Sequence, residues 1–112
     1  MALITASPMW PIAKGSAKKT VAAAGTSEAL AADTPASLIQ IKALAANTNP
    51  VYVKLDGVAG TDYKTTQDGY QLSAGQATDP IPLKRNLNEV ILDVTTSGEG
   101  VCYWYVTCEA RG

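Results

Sequence analysis

At 112 residues the chain has the size of a single domain, and a globule this small buries somewhat under about 70% of the surface its unfolded chain exposes. Hydrophobic residues make up 46% and charged residues 17%, which excludes a disordered chain. The net charge of −1 leaves no general footprint for nucleic acid.

Lys14, Lys18 and Lys19 form the one basic patch. No aromatic residue interleaves with it, so a nucleic-acid partner is not expected. No apolar run approaches the roughly 18 residues of a membrane span, so a membrane partner is not expected either. The first residues, MALITASPMWPIAKG, carry no basic n-region, and Pro8 and Pro11 interrupt the apolar stretch. They do not read as a signal peptide, and the expected compartment is the cytoplasm. The low charge has two explanations: an alanine-rich sequence, or a surface largely covered by other subunits.

Residues 1–17 read as an extended arm. Pro8 and Pro11 fix φ and disfavour helix in the residues before them. Met9, Trp10 and Ile12 form an apolar hook that must be covered, either by the arm's own domain or by another chain. Residues 18–112 read as the folded domain, where period-two alternation is broken by turn residues.

A short strand is expected over 20–24 and another over 28–32. Ile39, Ile41 and Ala43 share one face of a strand, with Gln40 and Lys42 on the other. After the turn Asn47-Thr48-Asn49-Pro50, Val51, Val53 and Leu55 alternate with Tyr52 and Lys54. Asp56-Gly57 and Asp68-Gly69 mark turns, with a polar loop containing Tyr63 between them. Tyr70 and Leu72 form a short strand that stops at Ala74-Gly75.

Pro80 and Pro82 flank Ile81, and their missing donors fall on one side, which predicts an edge strand. Residues 88–95 set Val90, Leu92 and Val94 inward against Glu89 and Asp93. The last strand, over 101–109, is apolar on both faces: Val101, Tyr103 and Tyr105 on one, Cys102, Trp104 and Val106 on the other. One face fills a core, and the other needs a cover from the arm or a neighbouring subunit. The only helix candidate, 29–32, is too short to stand alone.

Together these signals predict an all-β fold: a single small antiparallel β-sandwich, jelly-roll or Ig-like, of about seven or eight short strands. On one extended strand, Cys102 and Cys108 stand roughly 20 Å apart. That is beyond the reach of a disulfide, about 7 Å, so they are read as buried free thiols, with an interchain bridge as the alternative.

Chemistry-bearing motifs are missing. The chain has no histidine, the commonest general base and metal ligand, and no phosphate loop, nucleophile elbow or Cys-x-x-Cys. Asp56, Asp62 and Asp68 offer oxygen ligands of the kind calcium takes, but they stand beside turn glycines, where aspartate serves the backbone. No catalytic residue, metal ligand or cofactor is expected, and the chain does not read as an enzyme. Tyr52, Tyr63 and Tyr70 offer a possible exposed aromatic platform for stacking sugar rings, set against the ordinary preference of tyrosine for strands.

The segments Ser37 to Ala43, Asn49-Pro50-Val51-Tyr52-Val53, Gly69 to Gly75, Leu87-Asn88-Glu89-Val90 and Thr96 to Tyr103 occur in order. This pattern of strands and turns, over about residues 18–107, resembles the small structural proteins of tailed phages: capsid decoration (cement) or head-associated β-sandwich proteins. Lys54 stands where many such proteins have glycine.

The resemblance implies a virion protein on the capsid exterior, made in the host cytoplasm. Its partners would be the major capsid protein and copies of itself, as homotrimer or homodimer, and it would bridge neighbouring capsid subunits. The expected partner interface comprises Met9, Trp10, Pro11, Ile12, Lys14, Trp104 and Val106. Two further readings are a tail- or head-fibre module that binds host glycans, and a tail or connector component.

Overall fold

The computed structural model describes the backbone of residues 9–110 and the side chains of residues 15–107. The chain forms strands β1 (Met9–Thr20), β2 (Glu28–Ala29), β3 (Leu38–Ala43), β4 (Val51–Leu55), β5 (Tyr70–Leu72), β6 (Ile81–Pro82), β7 (Val90–Val94) and β8 (Gly100–Ala110). A one-turn helix, α1 (Tyr63–Thr66), and a 3-10 turn at Leu87–Glu89 complete it. Two four-stranded sheets pack face to face, in the orders β1-β8-β3-β6 (sheet A) and β2-β7-β4-β5 (sheet B). Every strand pairing is antiparallel. This is the small all-β sandwich the alternation predicts.

Period-two patterning decides what the core contains. Ile39, Ile41 and Ala43 are fully buried on one face of β3 and meet Val51, Val53, Leu72, Val90, Leu92 and Val94 of the opposing sheet. On β8 the inward set is Val101 and Tyr103, with Tyr105 packed against the same cluster. Cys102, Trp104 and Val106 therefore face outward. The Tyr105 ring lies over Gly15 of β1, where an added Cβ would stand 3.0 Å from the phenol oxygen.

The prolines act as expected. Pro82 sits in β6, which pairs only with β3 at the edge of sheet A, where a missing N–H costs no ladder bond. Pro11 lies beside a register shift between Pro11 and Ala13 in β1, the opposite edge of the same sheet. The stretch 9–17 is thus part of a twelve-residue strand whose backbone pairs with β8 from Met9↔Ala110 to Thr20↔Gly100. The β1–β8 pair runs past the end of β3, which stops its pairing with β8 at Val106, and the molecule is correspondingly long, 56 × 25 × 19 Å.

Several boundaries differ from the sequence reading. The expected strand over 20–24 ends at Thr20, because the chain turns there: Gly25 adopts φ +86°, and Val21 donates to Glu99 O at 3.0 Å. The strand over 28–32 shrinks to Glu28–Ala29. Asp93 is not outward but fully buried, because the 21–27 turn and α1 cover the outer side of β7. Its Oδ1 accepts from the amides of Gly25 (2.9 Å) and Val94 (2.8 Å). Its Oδ2 accepts from Tyr63 (2.8 Å) and Lys64 (3.0 Å).

Candidate functional site: the outer face of sheet A

The outward side chains of β8 are flanked by those of β1 and β3. The register sets Trp104 between Ser16 and Gln40, Cys102 between Lys18 and Lys42, and Val106 between Lys14 and Leu38. Trp104 is 38% exposed, although indoles are largely covered in most domains. Its orientation is fixed, because its Nε1–H donates to Gln40 Oε1 at 2.6 Å and Gln40 Nε2 donates to Thr78 O at 2.9 Å. Thr78 is buried and its hydroxyl oxygen accepts from Ile41 N at 3.1 Å, so the sheet itself holds the indole. A groove of about 430 Å³ opens beside it, lined by Ser16, Lys18, Gln40, Lys42, Ala77 and Cys102 among others.

Of the expected interface residues, Trp104 and half-buried Val106 share this face. Lys14 is their neighbour by register. The side chains of Met9, Trp10, Pro11, Ile12 and Lys14, and that of Cys108, lie outside the described residues. Cys102 is a free, half-buried thiol, and it shares the continuous strand β8 with Cys108.

The three tyrosines do not form a platform. Tyr52 and Tyr63 are buried with Ile91 in a small second cluster under α1, while Tyr70 is 56% exposed. Tyr63 Oη accepts from Val58 N at 2.9 Å, so its polar end closes the 56–62 loop. The sequence places Tyr52 outward by alternation. It is covered because the long β4–β5 connection folds back over that face, a tertiary effect that strand periodicity does not carry.

The aspartates are likewise separated in role. Asp62 caps α1 by accepting from Thr65 N at 2.9 Å, Asp56 pairs with Lys84 at 3.1 Å, and Asp68 pairs with Lys54 at 3.1 Å. Among the described residues, no group of three or more His, Cys, Asp or Glu is placed to hold a metal ion.

A second exposed apolar region lies where β5 and β6 edge the two sheets. Leu55, Tyr70, Pro80, Ile81 and Pro82 line a groove of about 310 Å³ there. The sequence signalled Pro80 and Pro82 but not this groove, which arises where Leu55 runs past the end of β5 and stays 43% exposed.

Compared with protein-family models, curated proteins and solved structures, the chain matches none.

Proposed function

We propose that this chain is a non-enzymatic structural protein of a phage particle, which binds the outside of the assembled shell and bridges neighbouring capsid subunits. The observation that carries the reading is Trp104: a large aromatic held rigid on an otherwise complete sandwich, with its open side facing solvent. Rigid, partly exposed aromatics are what protein interfaces use as anchors. Covering the rest of this indole contributes about 2 kcal/mol per copy. That is weak for a single contact, but it multiplies when many copies engage one shell.

The β1–β8 ribbon supports the same role. It extends the sheet beyond the body of the sandwich and sets residues 9–13 at the projecting end. There the segment containing Met9, Trp10, Pro11 and Ile12 is positioned to contact a neighbouring capsid subunit or a second copy. The major capsid protein is the proposed partner and the capsid exterior the proposed location.

The test is co-sedimentation of the purified protein with empty, expanded capsids of the phage whose genome encodes it. Saturable binding is expected, lost in Trp104→Ala while the domain stays folded. Binding that is absent, or that is indifferent to Trp104→Ala and to Trp10→Ala alike, would overturn the reading.

A further inference from the structure

The outer edge of β1 and the outer face of sheet A adjoin each other, and neither has a partner among the described residues. The three rows across the face are Lys18–Cys102–Lys42, Ser16–Trp104–Gln40 and Lys14–Val106–Leu38, and every charged residue in them is a lysine. Lys18 and Lys42 are exposed, and among the described residues neither is in an ion pair. Lys19, on the opposite face of β1, is bound to Glu28 at 2.8 Å. The middle of β1 is small, Gly15-Ser16-Ala17, and a second groove of about 550 Å³ opens over Gly15 and Ser16 towards Trp104 and Val106.

We propose that this edge and face together bind an extended, acidic segment of a partner protein, which adds to β1 as a fifth strand of sheet A. A free strand edge offers a row of main-chain donors and acceptors, and strand addition satisfies them while alternate side chains supply specificity. On the outward side those alternate side chains meet Ser16 and Lys18, with Lys14 next in register. Carboxylates there complement the Lys18 and Lys42 ammonium groups, which have no ion pair among the described residues. The small residues of β1 leave a path for an apolar side chain to reach the fixed Trp104 ring.

A second copy of β1 does not suit the edge. Antiparallel pairing of two copies about Ser16 sets Lys14 opposite Lys18, and pairing about Lys14 sets that residue opposite itself. Registers about Gly15 or Ala17 leave lysines diagonal to each other, within reach of repulsion. A single nucleic-acid strand matches the lysines and the ring, but not a backbone edge, and a net charge of −1 gives no long-range attraction for a polyanion. The proposal rests on the reading of Trp104 as an anchor and names the chemistry of what docks there. Its test needs no capsid.

The experiment is fluorescence anisotropy of the full chain with a short labelled peptide alternating glutamate and valine, at low ionic strength. The expected result is saturable binding with hydrogen-exchange protection along β1. Affinity should fall about tenfold in each of Lys18→Glu, Lys42→Glu and Trp104→Ala, and the lysine–valine peptide should be inert. No binding, or binding unaffected by these substitutions, overturns the proposal. So does equal binding of a peptide methylated on every backbone nitrogen, which would reduce the site to a patch of charge, or binding of oligothymidylate in the peptide's place. If the peptide fails while capsid co-sedimentation depends on Trp104, strand addition is discarded and the shell-binding reading stands.

Discussion

The side chain of Gln40 accepts the indole N–H of Trp104 at 2.6 Å and donates to Thr78 O at 2.9 Å, so one amide fastens the exposed ring to the loop before β6. Replacing Gln40 with leucine keeps its bulk and removes both bonds. Stability is expected to change by only about 1 kcal/mol, because both groups regain water. The ring should loosen, however. In a Trp10→Phe background, the tryptophan fluorescence anisotropy should drop, and capsid binding should weaken severalfold because ring ordering must then be met on docking. Unchanged anisotropy would show that packing alone orients the ring.

Asp93 links three segments that are distant in sequence: its carboxylate takes the amides of Gly25, Tyr63 and Lys64 as well as that of Val94. It stands at the start of α1 with full burial, where both the amides and the dipole of the first turn favour a negative charge. Asp93→Ala strands these donors in the interior and should cost about 3 kcal/mol or more. Asp93→Asn keeps the shape but can accept through one oxygen only, so it should fall between wild type and alanine. Urea unfolding checks the order. Equal stability of all three would mean that the loops are held by packing.

How far the fold was legible follows from where the information sits. Ile39, Ile41 and Ala43 announce a half-buried strand because only one of its faces is covered, and two-residue alternation encodes that directly. Pro80 and Pro82 announce an edge because a missing N–H is a local fact. Asp93 and Tyr52 misled for the opposite reason. Both lie on faces that alternation marks as outward, and both are covered by segments at least ten residues away in sequence. Trp104 and Val106 were legible as surplus apolar residues on the last strand, but which of its two faces is the core was not. On the inner side Val101 and Tyr103 join the core, and the Tyr105 ring lies against Gly15, contacts made across strands that lie far apart in sequence. Lys14 and Lys18 were legible as a basic patch, but the addition of Lys42 was not, since Lys18 and Lys42 come to flank Cys102 only through the β1-β8-β3 order.

Gly100 lies where β8 begins and β1 ends. A Cβ there would collide with the carbonyl oxygen of Lys19 and stand 2.7 Å from Thr20 Cα, both backbone atoms that cannot swing aside. The same residue is clasped by buried Asn47, whose Nδ2 donates to Gly100 O at 2.8 Å and whose Oδ1 accepts from Gly100 N at 3.4 Å. Gly100→Ala should therefore part β1 from β8 at this end and cost about 2–3 kcal/mol. Hydrogen exchange should rise first at Lys19, Thr20 and Val101. Wild-type exchange in the variant would mean that the strands separate there without cost.

Acid should destabilise the domain through four carboxylates. Glu28 is held below the usual range by its bond to Lys19 and by the amide of Ala22. Asp62 is lowered by the amide and hydroxyl of Thr65. Glu99 is lowered chiefly by the amide of Thr48. For Glu89, desolvation pushes upward, but the amides of Arg85, Lys84 and Asn86 outweigh it. A carboxylate with a depressed folded pKa contributes stability that is present above its unfolded value and is lost as pH falls through the folded one, because the unfolded chain binds the proton first. The urea midpoint should therefore stay level from neutrality down to the ordinary carboxylate range, about pH 4, and decline below it. Glu28→Gln should reduce that decline, since it removes one of the four groups. A midpoint that rises on acidification would show that these carboxylates are strained in the folded state instead of held by their donors.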